Sequence, residues 1–145
     1  MKVHLITIGE PKLVYARAGW NEYLARLKHY HTVRVTHIAD KRGDAEHILL
    51  AAGQAYMVAL VIDTPGCIQF SSPELAKFIE QHSQDGREAA FLIGGPDGLP
   101  VDVIHKADMS WSLSQLTFPH DLAMVILVET LYRASTIAAG QPYHR

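Results

Sequence analysis

The chain has 145 residues, 48% of them hydrophobic and 19% charged, a balance that excludes a disordered or fibrous polymer and suits one domain with its own core. Thirteen Lys and Arg against fifteen Asp and Glu leave a formal charge of −2. That is the wrong sign for gripping free nucleic acid by bulk charge, so an RNA partner has to be met by a local patch, a dimer or another macromolecule. The single cysteine, Cys67, excludes an internal disulfide and a thiolate-only metal cage. The opening MKVHLITIGE lacks the apolar stretch of a signal peptide, so a soluble cytoplasmic protein is expected.

Residues 3–8 form a β-branched run closed by Gly9 and predict a buried strand. Residues 11–30 carry Leu13, Ala16, Trp20, Tyr23, Leu24 and Leu27 at helical spacing. A second strand is expected over 32–38, then a charged turn at 39–43, then a short helix over 44–52 stopped by Gly53. The segment 56–62 (YMVALVI) is the most strongly apolar strand and enters the turn Asp63-Thr64-Pro65-Gly66. Ser71 or Ser72 caps a helix running to about Gln84. Residues 89–93 predict a buried strand, 101–107 a short helix, 109–113 a strand and 119–139 the last long helix. That helix is apolar almost all round over 122–128, yet Asp121, Glu129 and Arg133 interrupt it, so it is no membrane span. Strands alternating with helices argue for an α/β fold with a mainly parallel sheet flanked by helices, in one domain over 1–145. Ligands of such sheets bind where loops leave the carboxyl ends of strands, which singles out the loops 63–66, 94–98 and 113–119.

The run Gly94-Gly95-Pro96-Asp97-Gly98 follows a buried strand directly. Its glycines let the backbone approach a ligand or adopt positive φ, and the same run reads equally well as a tight turn from strand to helix. There is no G-x-G-x-x-G, no Gly-Lys-Ser/Thr loop and no G-x-S-x-G elbow, which argues against a dinucleotide enzyme, a P-loop ATPase and an α/β-hydrolase. Nine histidines without metal-ligand spacing point to no metal. Ser112, Ser114, His120 and Asp121 suggest nucleophilic catalysis less than capping of the last helix or the shaping of a ligand site. The tail ends on Tyr143, His144 and Arg145, residue types able to stack on a base, move a proton and bind phosphate; frayed termini are the ordinary alternative.

Four blocks, FLIGGPDGL (91–99), SWSLSQLTFPH (110–120), LVETLYRA (127–134) and PYHR (142–145), together with VHLITIGE at the start and KRG at 41–43, resemble the RlmH family. Members of that family are SPOUT-class, α/β-knot enzymes that methylate N3 of a pseudouridine in bacterial 23S ribosomal RNA. The resemblance runs the length of the chain, except that the stretch between Arg42 and Met57 is shorter than is usual in the family. It implies a C-terminal trefoil knot, S-adenosylmethionine as methyl donor, a homodimer and the assembled ribosome as substrate. Carried over by position, Ile62 lines the cofactor pocket, Gly94 approaches the cofactor with its backbone, and Leu113, Ser114, Gln115, Leu116, Thr117 and Phe118 enclose the adenine. We expect the tail to close the active site, with His144 as general base, Tyr143 against the base, and Arg145 on phosphate or developing charge. Arg133 is a second candidate for RNA contact, with an i to i+4 pair to Glu129 as the alternative. A ribosome-binding or assembly factor that keeps the fold without transfer is the rival from another class.

Overall fold

The computed structural model describes residues 1–143; His144 and Arg145, two of the tail residues singled out above, lie outside the described residues. In chain order the elements are β1 (Lys2–Ile8), α1 (Val14–Leu27), β2 (Thr32–Ile38), a 3-10 turn (Asp40–Arg42), α2 (Ala45–Ala52), β3 (Tyr56–Leu60), α3 (Ser72–Gln84), β4 (Ala89–Ile93), α4 (Val101–Lys106), β5 (Met109–Trp111) and α5 (His120–Ala138). The five strands form one sheet in the order β2-β1-β4-β3-β5, and every pairing is parallel. Both faces are covered, as a parallel sheet requires. Val3, Leu5, Val58, Phe91 and Trp111 meet Trp20 and Leu27 of α1, Leu75 and Phe78 of α3, and Met124, Leu127 and Leu131 of α5. On the opposite face Ile6, Ile8, Ala59 and Leu92 meet Ile48 of α2 and Val103 of α4. Strand β4 lies in the middle with all five residues buried.

Local chemistry sets most boundaries. Asp44 caps α2 through the His47 amide, and Gly53, at φ 57°, ends it. Ser71 and Glu74 close a reciprocal capping box on α3, with Pro73 in its first turn. The structure ends α1 at Leu27 rather than near Tyr30 and β3 at Leu60 rather than Ile62, and two further boundaries also differ from the sequence reading. Helix α1 begins at Val14 because the amides of Lys12 and Leu13 are held by the Asp121 carboxylate, at 2.8 and 2.6 Å. Strand β5 ends at Trp111, so Leu113 belongs to the loop. No residue of α5 is exposed, which fits its near-continuous apolar run. No helix among the described residues is long and apolar enough to cross a membrane.

The chain around β5 is unusual. On the β3 flank, the Val61 amide donates to the Trp111 carbonyl at 2.9 Å. On the other flank, the Ile68 amide donates to Ser110 O at 2.8 Å and the Ser112 amide donates to Ile68 O at 2.9 Å. The loop between Val61 and Ile68 therefore straddles the end of β5, one foot on each side of it. Whatever follows Ser112 leaves the sheet beside that loop.

Candidate active site

A cavity of about 360 Å³ opens at the carboxyl edge of the sheet, between the loops that follow β3, β4 and β5. These are the three loops that the alternation of strands and helices singled out in the sequence. Ile62 and Thr64 come from the first, residues 94–99 from the second, and Leu113, Ser114, Leu116, Thr117 and Phe118 from the third; His120 and Ala123 of α5 close the floor. Gln115 is exposed and does not line the cavity, so of the six residues expected in that loop the structure brings five to the wall. Ile62 and Leu116 are 60% and 71% exposed, large apolar side chains left uncovered at the mouth. Among the described residues Asp97 is the one carboxylate on the wall, and no Lys or Arg lines it. The described wall thus offers a polyphosphate no cationic side chain, whereas a neutral or cationic ligand with a flat apolar ring would be accommodated.

The glycines of the second loop act differently from the sequence expectation. Neither Gly94 nor Gly95 has positive φ; only Gly98 does, at 77°. Pro96 occupies the second position of a turn closed by the Gly98 amide on Gly95 O at 2.9 Å, and Gly98 supplies the left-handed residue after it. Gly94 is required because the loop folds back onto it: a Cβ there would stand 2.2 Å from Gly98 C and 2.4 Å from Leu99 N. The tight-turn reading thus accounts for Gly94 without any ligand.

The serines of the third loop are engaged in shaping it. Ser112 Oγ donates to Ser114 O at 2.7 Å, and Ser114 Oγ accepts from the Leu116 amide at 3.0 Å. A Ser-His-Asp triad is absent among these residues. Asp121 does not cap its own helix either; its carboxylate accepts two amides from the segment ahead of α1. That contact joins residues 109 and 108 positions apart in sequence, and no local pattern signals it. His120 Nδ1 is buried without a partner, beside Gly9 and the cavity floor.

A second cluster lies along α5. Both Arg133 Nε and Nη2 donate to Glu129 Oε1, at 3.0 and 2.7 Å, the i to i+4 pair weighed above. Tyr143 donates to the same oxygen at 3.2 Å, and the Arg133 guanidinium lies 4.8 Å from the centre of its ring. Burial, with Tyr23 and Glu129 beside it, pushes the Tyr143 phenol up to about 12, so it is a neutral donor at ordinary pH. The Glu129 hydrogen bond raises the Arg133 pKa further, fixing its charge. The tail reaches this place because Gly140, at φ 69°, stops α5 and Gln141 bonds back to Thr136 and Tyr30. The structure therefore unites two of the expected residues, Arg133 and Tyr143, but not beside the cavity. Arg133 is thirteen residues beyond His120 on α5, which at 1.5 Å per residue is roughly 20 Å along the helix axis.

Comparison with known proteins agrees with this geometry. A family model described as "Predicted SPOUT methyltransferase" matches residues 1–144. A protein of Deinococcus deserti called ribosomal RNA large subunit methyltransferase H is 51% identical over 148 aligned positions, covering all of both chains. Its namesake in Deinococcus radiodurans is 50% identical, over all of this chain and 99% of the other. Among solved structures, a probable methylase family protein of Haemophilus influenzae superposes with a TM-score of 0.61 at 12% identity, over 99% of this chain and 70% of that one. A probable methyltransferase of Bordetella pertussis gives 0.58 at 13% identity, over 92% and 95%; both likenesses concern the fold. On the full-length match and the high identity to its relatives, this chain belongs to the SPOUT methyltransferase family.

Proposed function

We propose that this chain is a methyltransferase that moves the methyl group of S-adenosylmethionine to N3 of a pseudouridine in 23S ribosomal RNA, on the assembled ribosome. The observation that carries the reading is a mainly apolar cavity at the carboxyl edge of the sheet, with no Lys or Arg on its wall among the described residues, in a chain half identical to named ribosomal RNA methyltransferases. Leu113, Leu116 and Phe118 offer faces for an adenine ring, with Ser114 and Thr117 contributing backbone and hydroxyl groups around it. Ile62 covers the ring at the mouth, and the Gly94 backbone lies against the ligand. The knotted threading of the family would run through the loop that straddles β5. When bound, S-adenosylmethionine supplies an electrophilic sulfonium methyl.

The work left to the protein is proton removal and alignment. N3 of pseudouridine is an imide nitrogen that carries a proton at neutral pH, so a base has to take it before the nitrogen can attack. His144 takes that proton, Tyr143 packs against the target base, and Arg145 and Arg133 hold phosphate or developing negative charge. Holding both reactants in line supplies much of the rate. Since Arg133 and the cavity floor lie roughly 20 Å apart along one helix, the reading includes a homodimer in which the tail of one copy serves the cavity of the other. The partly covered apolar residues of α5, among them Val125, Ile126 and Tyr132, give such a dimer its surface.

Mass spectrometry of ribosomes treated with the protein and labelled S-adenosylmethionine tests this directly. The expected product is one methyl group on a pseudouridine of 23S RNA, with naked 23S RNA a poor substrate because the chain's net charge is −2. An unlabelled ribosome, or no heat on titration with S-adenosylmethionine, would leave a ribosome-binding protein without transfer.

A further inference from the structure

Among thirteen Lys and Arg residues only Lys41 and Arg42 are adjacent in sequence. Both stand exposed on the 3-10 turn Asp40–Arg42, and among the described residues neither has an ion-pair partner. Arg26, Arg34 and Lys12 are paired with Glu22, Glu88 and Asp40, while the other exposed cations without an ion pair among the described residues, Lys2, Arg17, Lys28, Lys77 and Lys106, stand singly in sequence. The two acids flanking the pair are engaged elsewhere. Asp40 lies 3.7 Å from Lys12 Nζ, and Asp44 accepts from the His47 amide and ring nitrogen at 2.9 and 2.6 Å.

This turn is held in place beside the cavity. The Arg42 amide donates to Ala39 O at 2.8 Å and the Gly43 amide to Asp40 O at 3.2 Å. A Cβ at Gly43 would lie 3.0 Å from Ile8 Cγ2, and a Cβ at Gly95 would lie 3.4 Å from the same carbon. The basic turn and the glycine wall of the cavity thus rest on one isoleucine side chain. Two adjacent exposed charges without an ion-pair partner among the described residues, one side chain away from the cavity, are placed to hold a polyanion whose reactive part enters that cavity.

We propose that the Lys41–Arg42 turn grips backbone phosphates of the RNA strand that carries the target nucleotide, fixing its register while the base enters the cavity. The proposal rests on the RNA-methylating reading above. It assigns no sequence recognition to the turn, since phosphate contacts position a strand without reading it. It also accounts for how a chain of net charge −2 approaches RNA: the positive charge is local.

The experiment compares wild type, a Lys41→Gln/Arg42→Gln double variant, and a Lys77→Gln/Lys106→Gln control that removes two exposed lysines elsewhere. Binding to purified large ribosomal subunits is measured by sedimentation over a salt series, alongside methyl transfer and S-adenosylmethionine titration. The turn variant should bind subunits roughly tenfold more weakly and lower the slope of log K against log salt by about 1.4, the value for two single-strand phosphate contacts. Its S-adenosylmethionine affinity and its kcat at saturating subunits should stay within twofold of wild type, and the control should match wild type throughout. A charge-preserving Lys41→Arg/Arg42→Lys variant should recover most of the binding. Unchanged subunit binding and salt slope in the Gln variant overturn the grip, and so does an equal loss in the lysine control. Absence of methyl transfer by wild type refutes the enzyme reading instead, while the salt slopes still decide the grip.

Discussion

A Gly94→Ala substitution sets a methyl carbon 2.2 Å from Gly98 C, 2.4 Å from Leu99 N and 2.5 Å from Gly98 O. All three are main-chain atoms, so no rotamer change relieves the overlap. Restoring ordinary carbon contacts of about 3.5 Å requires the 98–99 segment to retreat by roughly 1 Å. That segment is anchored, because Leu99 is buried in the core beneath α4 and Gly98 closes the turn on Gly95. Overpacking against anchored structure costs about 3 kcal/mol, the upper part of its usual range. For a chain of this length that lowers Tm by roughly 10 °C. Gly95→Ala is the matched comparison: its Cβ would meet Ile8 at 3.4 Å, an ordinary contact, so Tm should move by less than about 2 °C. Thermal unfolding followed by circular dichroism separates the two, and calorimetry with S-adenosylmethionine reports the cavity. A Gly94→Ala protein that melts with wild type, or a Gly95→Ala protein that loses as much stability, would refute the chain-crossing account of this loop.

Asp121→Ala strips the acceptor from the Lys12 and Leu13 amides, which at 1–3 kcal/mol per unpaired buried group should destabilise the chain by about 2–4 kcal/mol. Hydrogen exchange at those two amides should rise with it, and unchanged exchange would show that the carboxylate does not latch the segment. Burial, with the N-terminal ammonium nearby, holds the His31 pKa down at about 4, against an unfolded value near 6.5. The unfolded chain then binds the extra proton, so this contribution to stability is complete above pH 6.5 and is lost as pH falls toward 4. With discount for the partly exposed ring it amounts to about 1–2 kcal/mol. His31→Gln should flatten denaturant midpoints over that interval, and an unaltered pH slope would contradict it. Deleting residues 141–145 should leave the melting curve within a few degrees and S-adenosylmethionine binding intact while abolishing methyl transfer; full activity in that truncation would remove the tail from the mechanism.

The local chemistry of the fold was readable from the residues. β-branched runs marked the strands, Asp44 and Gly53 bracketed α2, and Ser71 with Glu74 announced α3, because each signal and its partner lie within a few positions. Glycine after a buried strand located the second cavity loop, and parallel-sheet geometry then pointed to its two neighbours. What stayed hidden depends on distant pairs. Nothing near Asp121 shows that its oxygen serves amides at Lys12 and Leu13, and this is why α1 starts later than its apolar spacing suggests. Nothing in the segment 61–68 shows that the chain crosses to the far flank of β5. The residues left Gly94 open between close approach to a ligand and a tight turn, because nothing local shows the chain returning over it. The tail presents the same limit: its residue types were legible, while the Glu129 contact that draws Tyr143 onto α5 was not.

Strand β5 is three residues long, yet the first and third cavity loops both hang from it. Val61 and Ile68 clasp it from opposite sides, and Leu113 begins one residue past Ser112, whose amide forms part of that clasp. It works as a hinge pin shared by two doors. Any shift of Trp111, which packs on Phe70 and Phe91 in the core, must swing both cavity walls together. Conversely, a ligand that draws those walls inward bears on the hydrogen bonds around the pin, so filling the cavity is coupled to the strand from which both walls hang.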